Sequence, residues 1–142
     1  MNHVRILSIA LLLLTLCMTA SNVIAADSAP GGQRVFELRK YYAAPGKLEA
    51  LHARFRDHTN TIFARHGMQI IGYWVPTNGP DANKALIYIL AFPSADAQKK
   101  SWADFQKDPE WVKVKADSEK DGKLVDKVES TLMTPTDYSP IK

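Results

Sequence analysis

Glu37 and Arg39 stand two residues apart in an extended, β-favouring run, so their side chains leave a strand on the same face. A carboxylate and a guanidinium side by side in a sheltered space pair with each other or with a ligand. The guanidinium is also a ready fork for a carboxylate or another anionic head group. Val35 and Tyr41 flank the two charges on that face. His58 follows Leu51 by seven residues and precedes Ile62 by four, which places it on the apolar face of an expected helix. A histidine there is a core residue bonded to a neighbour, a cavity base or a haem ligand. Tyr73, Trp74, Trp102 and Trp111 are either core or the walls of an apolar site. The candidate ligand-binding residues are therefore Glu37, Arg39, Tyr41, His58 and Trp74.

Other chemistry is poorly supplied. Cys17 is the single cysteine and lies in the first 25 residues, so the rest of the chain has no thiol for a disulfide, a metal or a nucleophile. His58 and His66 are eight residues apart, about 12 Å along a helix axis, and no His-x-x-x-His pair or acidic cluster exists. No metal site and no cofactor are assigned. No nucleophile elbow, phosphate loop or dinucleotide fingerprint is present.

The elements that position these residues read from pattern. A strand is expected over Arg34 to Tyr42, then a turn at Ala44-Pro45-Gly46. Leu48, Leu51, Phe55, Ile62 and Phe63 follow the helical period and predict a helix over Lys47 to His66. Gly67 suits its left-handed cap. Strands come next over Met68 to Val75 and Ala85 to Phe92, joined by a polar loop, TNGPDANK. Ser94 caps a helix that runs to about Lys107. In SWADFQKDPEW, Asp108 can cap a second helix, with Pro109 in its first turn and Glu110 at its positive end. Gly122 leads into a last strand, Lys123 to Met133. On the expected alternation Ile70, Gly72 and Trp74 oppose Ile71, Tyr73 and Val75.

Two split β-α-β halves make an α+β, ferredoxin-like βαββαβ fold: a four-stranded antiparallel sheet with its helices on one face. Large apolar side chains occur on both faces of the first three strands. One face meets the helices, and a second copy of the chain is the expected cover for the other.

The N-terminus reads as an export signal over residues 1–25. Arg5 is followed by an apolar run from Ile6 to Met18, and Val23-Ile24-Ala25 offers a cleavage site. The run is shorter than a spanning helix, so no stable membrane insertion is expected after cleavage. Leu16 before Cys17 does not suit lipidation. Residues 26–33 read as a flexible linker and residues 34–140 as one domain. After cleavage, 17 basic residues face 15 acidic ones, a net charge of +2 with the signs interleaved. No basic stripe points to nucleic acid. The expected location is periplasmic or secreted.

The segments VFELRKY (Val35 to Tyr41), PGK, HGMQIIGYW (His66 to Trp74), SWADFQKDPEW and TPTDYSP (Thr134 to Pro140) together resemble the NIPSNAP family. The resemblance spans roughly Val35 to Pro140. It implies a dimeric α/β-barrel, in which two ferredoxin-like sheets face each other around a cavity. Members of that wider group include cofactor-light monooxygenases, haem-degrading enzymes and simple ligand binders, so fold alone does not select an activity. The first expectation is an exported homodimer binding a small apolar or amphipathic molecule in its barrel. The alternatives are a monooxygenase-like or isomerase-like enzyme and a protein-interaction module.

Overall fold

A computed structural model describes residues 33–142. The expected export signal, and the linker apart from Gln33, lie outside the described residues. The elements are β1 (Val35–Ala43), α1 (Leu48–Arg54), a π-helical turn (Phe55–Thr59), α2 (Asn60–Arg65), β2 (Gln69–Trp74), β3 (Ala85–Phe92), α3 (Ala95–Lys107), α4 (Pro109–Ser118) and β4 (Val125–Met133). The strands pair antiparallel in the order β2-β3-β1-β4. This is the ferredoxin-like α+β arrangement, with the helices on one side of the sheet. No helix among the described residues is long and apolar enough to cross a membrane.

The core lies between the helices and one sheet face. Leu86, Tyr88, Leu90 and Phe92 of β3 are buried there with Leu51, Phe55, Ile62, Phe63 and Phe105 from the helices. Each fully buried side chain of this kind contributes roughly 1.5–3 kcal/mol from removal of its surface from water. Phe55, Phe63 and Tyr88 meet edge-on or tilted, with ring centroids 5.2–6.1 Å apart, the geometry that aromatic quadrupoles favour.

Two one-residue insertions alter the expected faces. In the π turn the Asn60 amide donates to the Phe55 carbonyl, five residues back. One extra residue rotates the rest of the helix by about 100°. The Thr59 side chain is thereby buried, and its Oγ1 donates to the Arg54 carbonyl at 3.1 Å. His58, expected on the apolar face, is exposed instead. The second insertion is a bulge at Ile71 in β2. Ile70 pairs with Leu90 and Tyr73 with Tyr88, so Ile70 and Tyr73 share the helix-facing side. Gly72 and Trp74 sit opposite Ile89 and Ile87 on the other face. The Trp74 ring folds across Gly72, where a Cβ would lie 2.8 Å from it.

The break between α3 and α4 is set by Asp108. Its Oδ1 accepts from the Glu110 amide at 2.8 Å and from the Trp111 amide at 3.4 Å, and Pro109 opens α4. His66 Nε2 lies 2.7 Å from Asp108 Oδ2, and Arg65 donates to the same oxygen at 2.8 Å. The start of α4 is thus tied to the end of α2. These hydrogen bonds, from His66 first and then Arg65, hold the Asp108 carboxyl far below the usual carboxylate range.

Candidate functional site

The alternation of β1 puts Val35, Glu37, Arg39 and Tyr41 against the helices and Phe36, Leu38, Lys40 and Tyr42 on the other face, which no helix covers; there Phe36 is buried and shares a hollow with Ile71, Ile89 and the C-terminal Pro135 and Ile141. This corrects the expected placement of the Glu37–Arg39 pair in a space between two facing sheets. The pair belongs to the space between sheet and helices of one chain. The physical reason is on α3: Gln98 and Trp102 lie four apart, point to the same side, and both donate to Glu37.

Glu37 is 2% exposed, and its carboxylate accepts four hydrogen bonds. Oε2 receives Gln98 Nε2 at 2.9 Å and Trp102 Nε1 at 2.6 Å. Oε1 receives Arg39 Nη1 at 3.0 Å and Ser130 Oγ at 2.6 Å. Burial alone would raise the pKa of this acid. The donors Gln98, Ser130 and Trp102 and the charge of Arg39 outweigh it, and the carboxyl is held below its ordinary value. A saturated, ionised carboxylate is neither a general base with a free lone pair nor a proton donor. Its work is to hold Arg39.

Arg39 is fixed from two sides. Glu37 takes Nη1, and the guanidinium carbon lies 4.1 Å from the Trp102 ring centroid and 5.5 Å from that of Tyr41. Among the described residues its other nitrogens have no hydrogen-bond partner, and Nε is buried. Tyr88 faces Arg39 across the β1–β3 ladder and is also fully buried. Burial, first, and the neighbouring Tyr41 keep the Tyr88 phenol well above its ordinary pKa, against the opposing pull of Arg39. The Tyr41 and Tyr88 rings meet edge-on with centroids 5.2 Å apart, and Tyr88 Oη is buried without a hydrogen-bond partner.

Arg39 and Tyr41 form one wall of an open cleft of about 620 Å³. Trp102, Phe105 and Trp111 form another, and Lys115 and Glu119 of the α4 region stand at its polar side. The volume falls within the ~300–1,000 Å³ of small-molecule sites. A second arginine, buried where Arg39 is only partly so, supports this wall from behind. Arg54 donates to Glu119 at 2.9 Å, and its guanidinium carbon lies 5.3 Å from the Trp111 ring centroid. Each tryptophan of the cleft therefore carries a guanidinium over its ring, and each guanidinium is paired with a glutamate.

Of the five candidates, Glu37, Arg39 and Tyr41 are brought together here, Glu37 as the support behind the cleft. Trp74 is not part of the site. It is 49% exposed and borders a separate hollow of about 280 Å³ with His52, Asn60 and Tyr73. His58 lies in a surface groove between α1 and α4 with Asp57, Lys113 and Asp117. Neither reaches the cleft. Among the described residues no group of three His, Cys, Asp or Glu side chains could hold a metal ion. Arg54, Tyr88, Lys115 and Glu119 are site residues that sequence reasoning missed. Arg54 carried a signal, since three residues after Leu51 it falls on the apolar helix face, where a charge needs a partner.

The NIPSNAP family model matches residues 36–140. The chain belongs to the NIPSNAP family. No curated protein matches it. A NIPSNAP family protein from Agrobacterium tumefaciens is 25% identical, with a TM-score of 0.67 over 78% of this chain and 95% of that one. A second from the same organism is 23% identical, with a TM-score of 0.68 over 78% of this chain and 100% of that one. A candidate antibiotic biosynthesis monooxygenase from Nitrosomonas europaea is 11% identical, with a TM-score of 0.53 over 77% of this chain and 96% of that one, a likeness of fold alone. The matched NIPSNAP region contains the Glu37 hub and the whole cleft.

Proposed function

We propose that this NIPSNAP chain is an exported homodimer that binds a small amphipathic molecule, and that the ligand occupies the cleft between β1 and α3–α4. The observation that carries the reading is Arg39. A guanidinium held rigidly by Glu37 and Trp102, with donors left over at the wall of an aromatic cleft, is preorganised for an anionic head group. The ligand's apolar part meets Trp102, Phe105 and Trp111. The dimer reading rests on the uncovered face, where Leu38, Ile71, Ile87 and Ile89 are only partly buried. In this reading the second copy covers that face and the ligand site stays within each chain.

Native mass spectrometry of protein purified from its own host tests ligand binding. The expected result is a retained small molecule in the wild type that is lost in Arg39→Ala, with the variant still folded. A charge-assisted hydrogen bond contributes ~1.5–3 kcal/mol, so binding should weaken by about 10- to 150-fold. A wild type that carries no small molecule, together with an Arg39→Ala variant that melts far below it, would make the Glu37–Arg39 pair purely structural.

A further inference from the structure

The walls of the cleft also speak to the chemical class of its occupant. Trp102, Phe105 and Trp111 form a continuous aromatic corner: Trp102 stands perpendicular to Phe105, with centroids 5.6 Å apart at 89°, and Trp111 lies tilted on Phe105 at 4.5 Å and 33°. Rings that pack on one another and lie under guanidinium groups have little freedom to tilt, so the wall is rigid. A rigid aromatic wall favours a planar partner, which stacks without losing internal rotations, over an alkyl chain, which loses several. Val112 and Ala116 add further apolar surface on α4.

The charges point the same way. Glu119 lines the cleft, but its charge is met by Arg54 at 2.9 Å. Glu37 behind the wall is met by Arg39 and three neutral donors. Lys115 is exposed at the cleft and forms no salt bridge among the described residues. With both glutamates matched, the residual field is that of Lys115 and of the unused donors on Arg39. A neutral oxygen can accept from those donors, but a carboxylate meets them with charge and can take two at once, which makes the stronger pair.

Resting on the cleft reading above, we propose that the ligand is a planar aromatic acid whose ring system stacks on one of the two steeply inclined tryptophans and meets the other edge-on, and whose acid group meets Arg39, with Lys115 lending charge. Tyr41 borders the acid group on the β1 side. The arrangement discriminates by shape through the tryptophans and by charge through Arg39, so the two preferences can be separated.

Titration calorimetry on the purified protein with 2-naphthoate, 2-naphthalenemethanol and dodecanoate tests the class. The expected result is that 2-naphthoate binds at least tenfold more tightly than either of the others. Trp111→Leu should weaken 2-naphthoate at least fivefold. Lys115→Gln alters an exposed side chain and leaves the fold intact; it should weaken 2-naphthoate about threefold and flatten its dependence on salt. Equal or tighter binding of dodecanoate, still lost in Arg39→Ala, would overturn the aromatic class while leaving the cleft as a ligand site. Equal binding of the alcohol would overturn the acid. Binding of none of the three would overturn the class, and the molecule retained from the host then decides the cleft reading independently.

Discussion

Trp102→Phe is the sharpest probe of the Glu37 hub. The substitution removes the Nε1 donor that reaches Glu37 at 2.6 Å and replaces the indole under Arg39, 4.1 Å away, with a smaller ring. A hydrogen bond to a charged group is worth ~1.5–3 kcal/mol, and the lower end applies because Glu37 keeps three other donors. A cation–π contact is worth ~0.5–2 kcal/mol, and phenylalanine retains part of it. The expected destabilisation near pH 7 is about 2 kcal/mol, or roughly 8 °C in melting temperature for a domain of this size. Because the carboxyl of Glu37 is depressed in the folded state, its contribution is fully present above the unfolded value near pH ~4.3 and is lost as pH falls through the folded value. The wild type loses more on acidification than Trp102→Phe does. Denaturant melts from pH 7 down to pH 3 should therefore show the gap narrowing toward the packing remainder. A double-mutant cycle with Glu37→Gln should give a coupling of about 1 kcal/mol or more. A gap that stays constant to pH 3, with coupling near zero, would refute the hub and reduce Trp102 to a packing residue.

Two further outcomes are expected. His58→Ala should change stability by less than ~0.5 kcal/mol, as an exposed site does, while Thr59→Val should cost about 1 kcal/mol through the lost bond to the Arg54 carbonyl; the reverse order in thermal melts would contradict the π-turn register. Leu38→Glu, on the uncovered sheet face, should weaken homodimer association by more than ~2 kcal/mol in sedimentation equilibrium, and a wild type that is monomeric at high micromolar concentration would end the dimer reading.

The element order was legible because each boundary had its own chemistry. Ser94 and Asp108 cap the helices expected of them, and the strand read over Ala85 to Phe92 occupies those residues. The family was legible in motifs spread along the same elements. Faces were less legible. A π turn and a β-bulge each insert one residue, and a periodicity count survives such an insertion because the apolar positions on both sides still look regular. His58 and Thr59 differ by one position, yet one is exposed and the other buried. In β2 the bulge puts Ile71 and Tyr73 on different faces, although alternation places them together.

The pairing of Glu37 with Arg39 was readable from their spacing, but the side of the sheet on which they act was not. Strand alternation gives two faces and no label for either. The label comes from α3, where Gln98 and Trp102 bring two N–H donors to one side of a helix and leave them in need of an acceptor. A helix with paired donors and a strand with a paired carboxylate and guanidinium suit each other, because packing this strand face against a helix without such donors would bury a poorly partnered charge at a cost of several kcal/mol. On the proposed reading, the two faces of one sheet divide the labour. The helix side carries a charged, aromatic cleft complete within a single chain, and the uncovered side carries the apolar surface. A perturbation of association therefore need not touch the cleft. If Leu38→Glu abolished ligand retention along with dimerisation, the two faces would be coupled, and the division of labour argued from their separate residues would not hold.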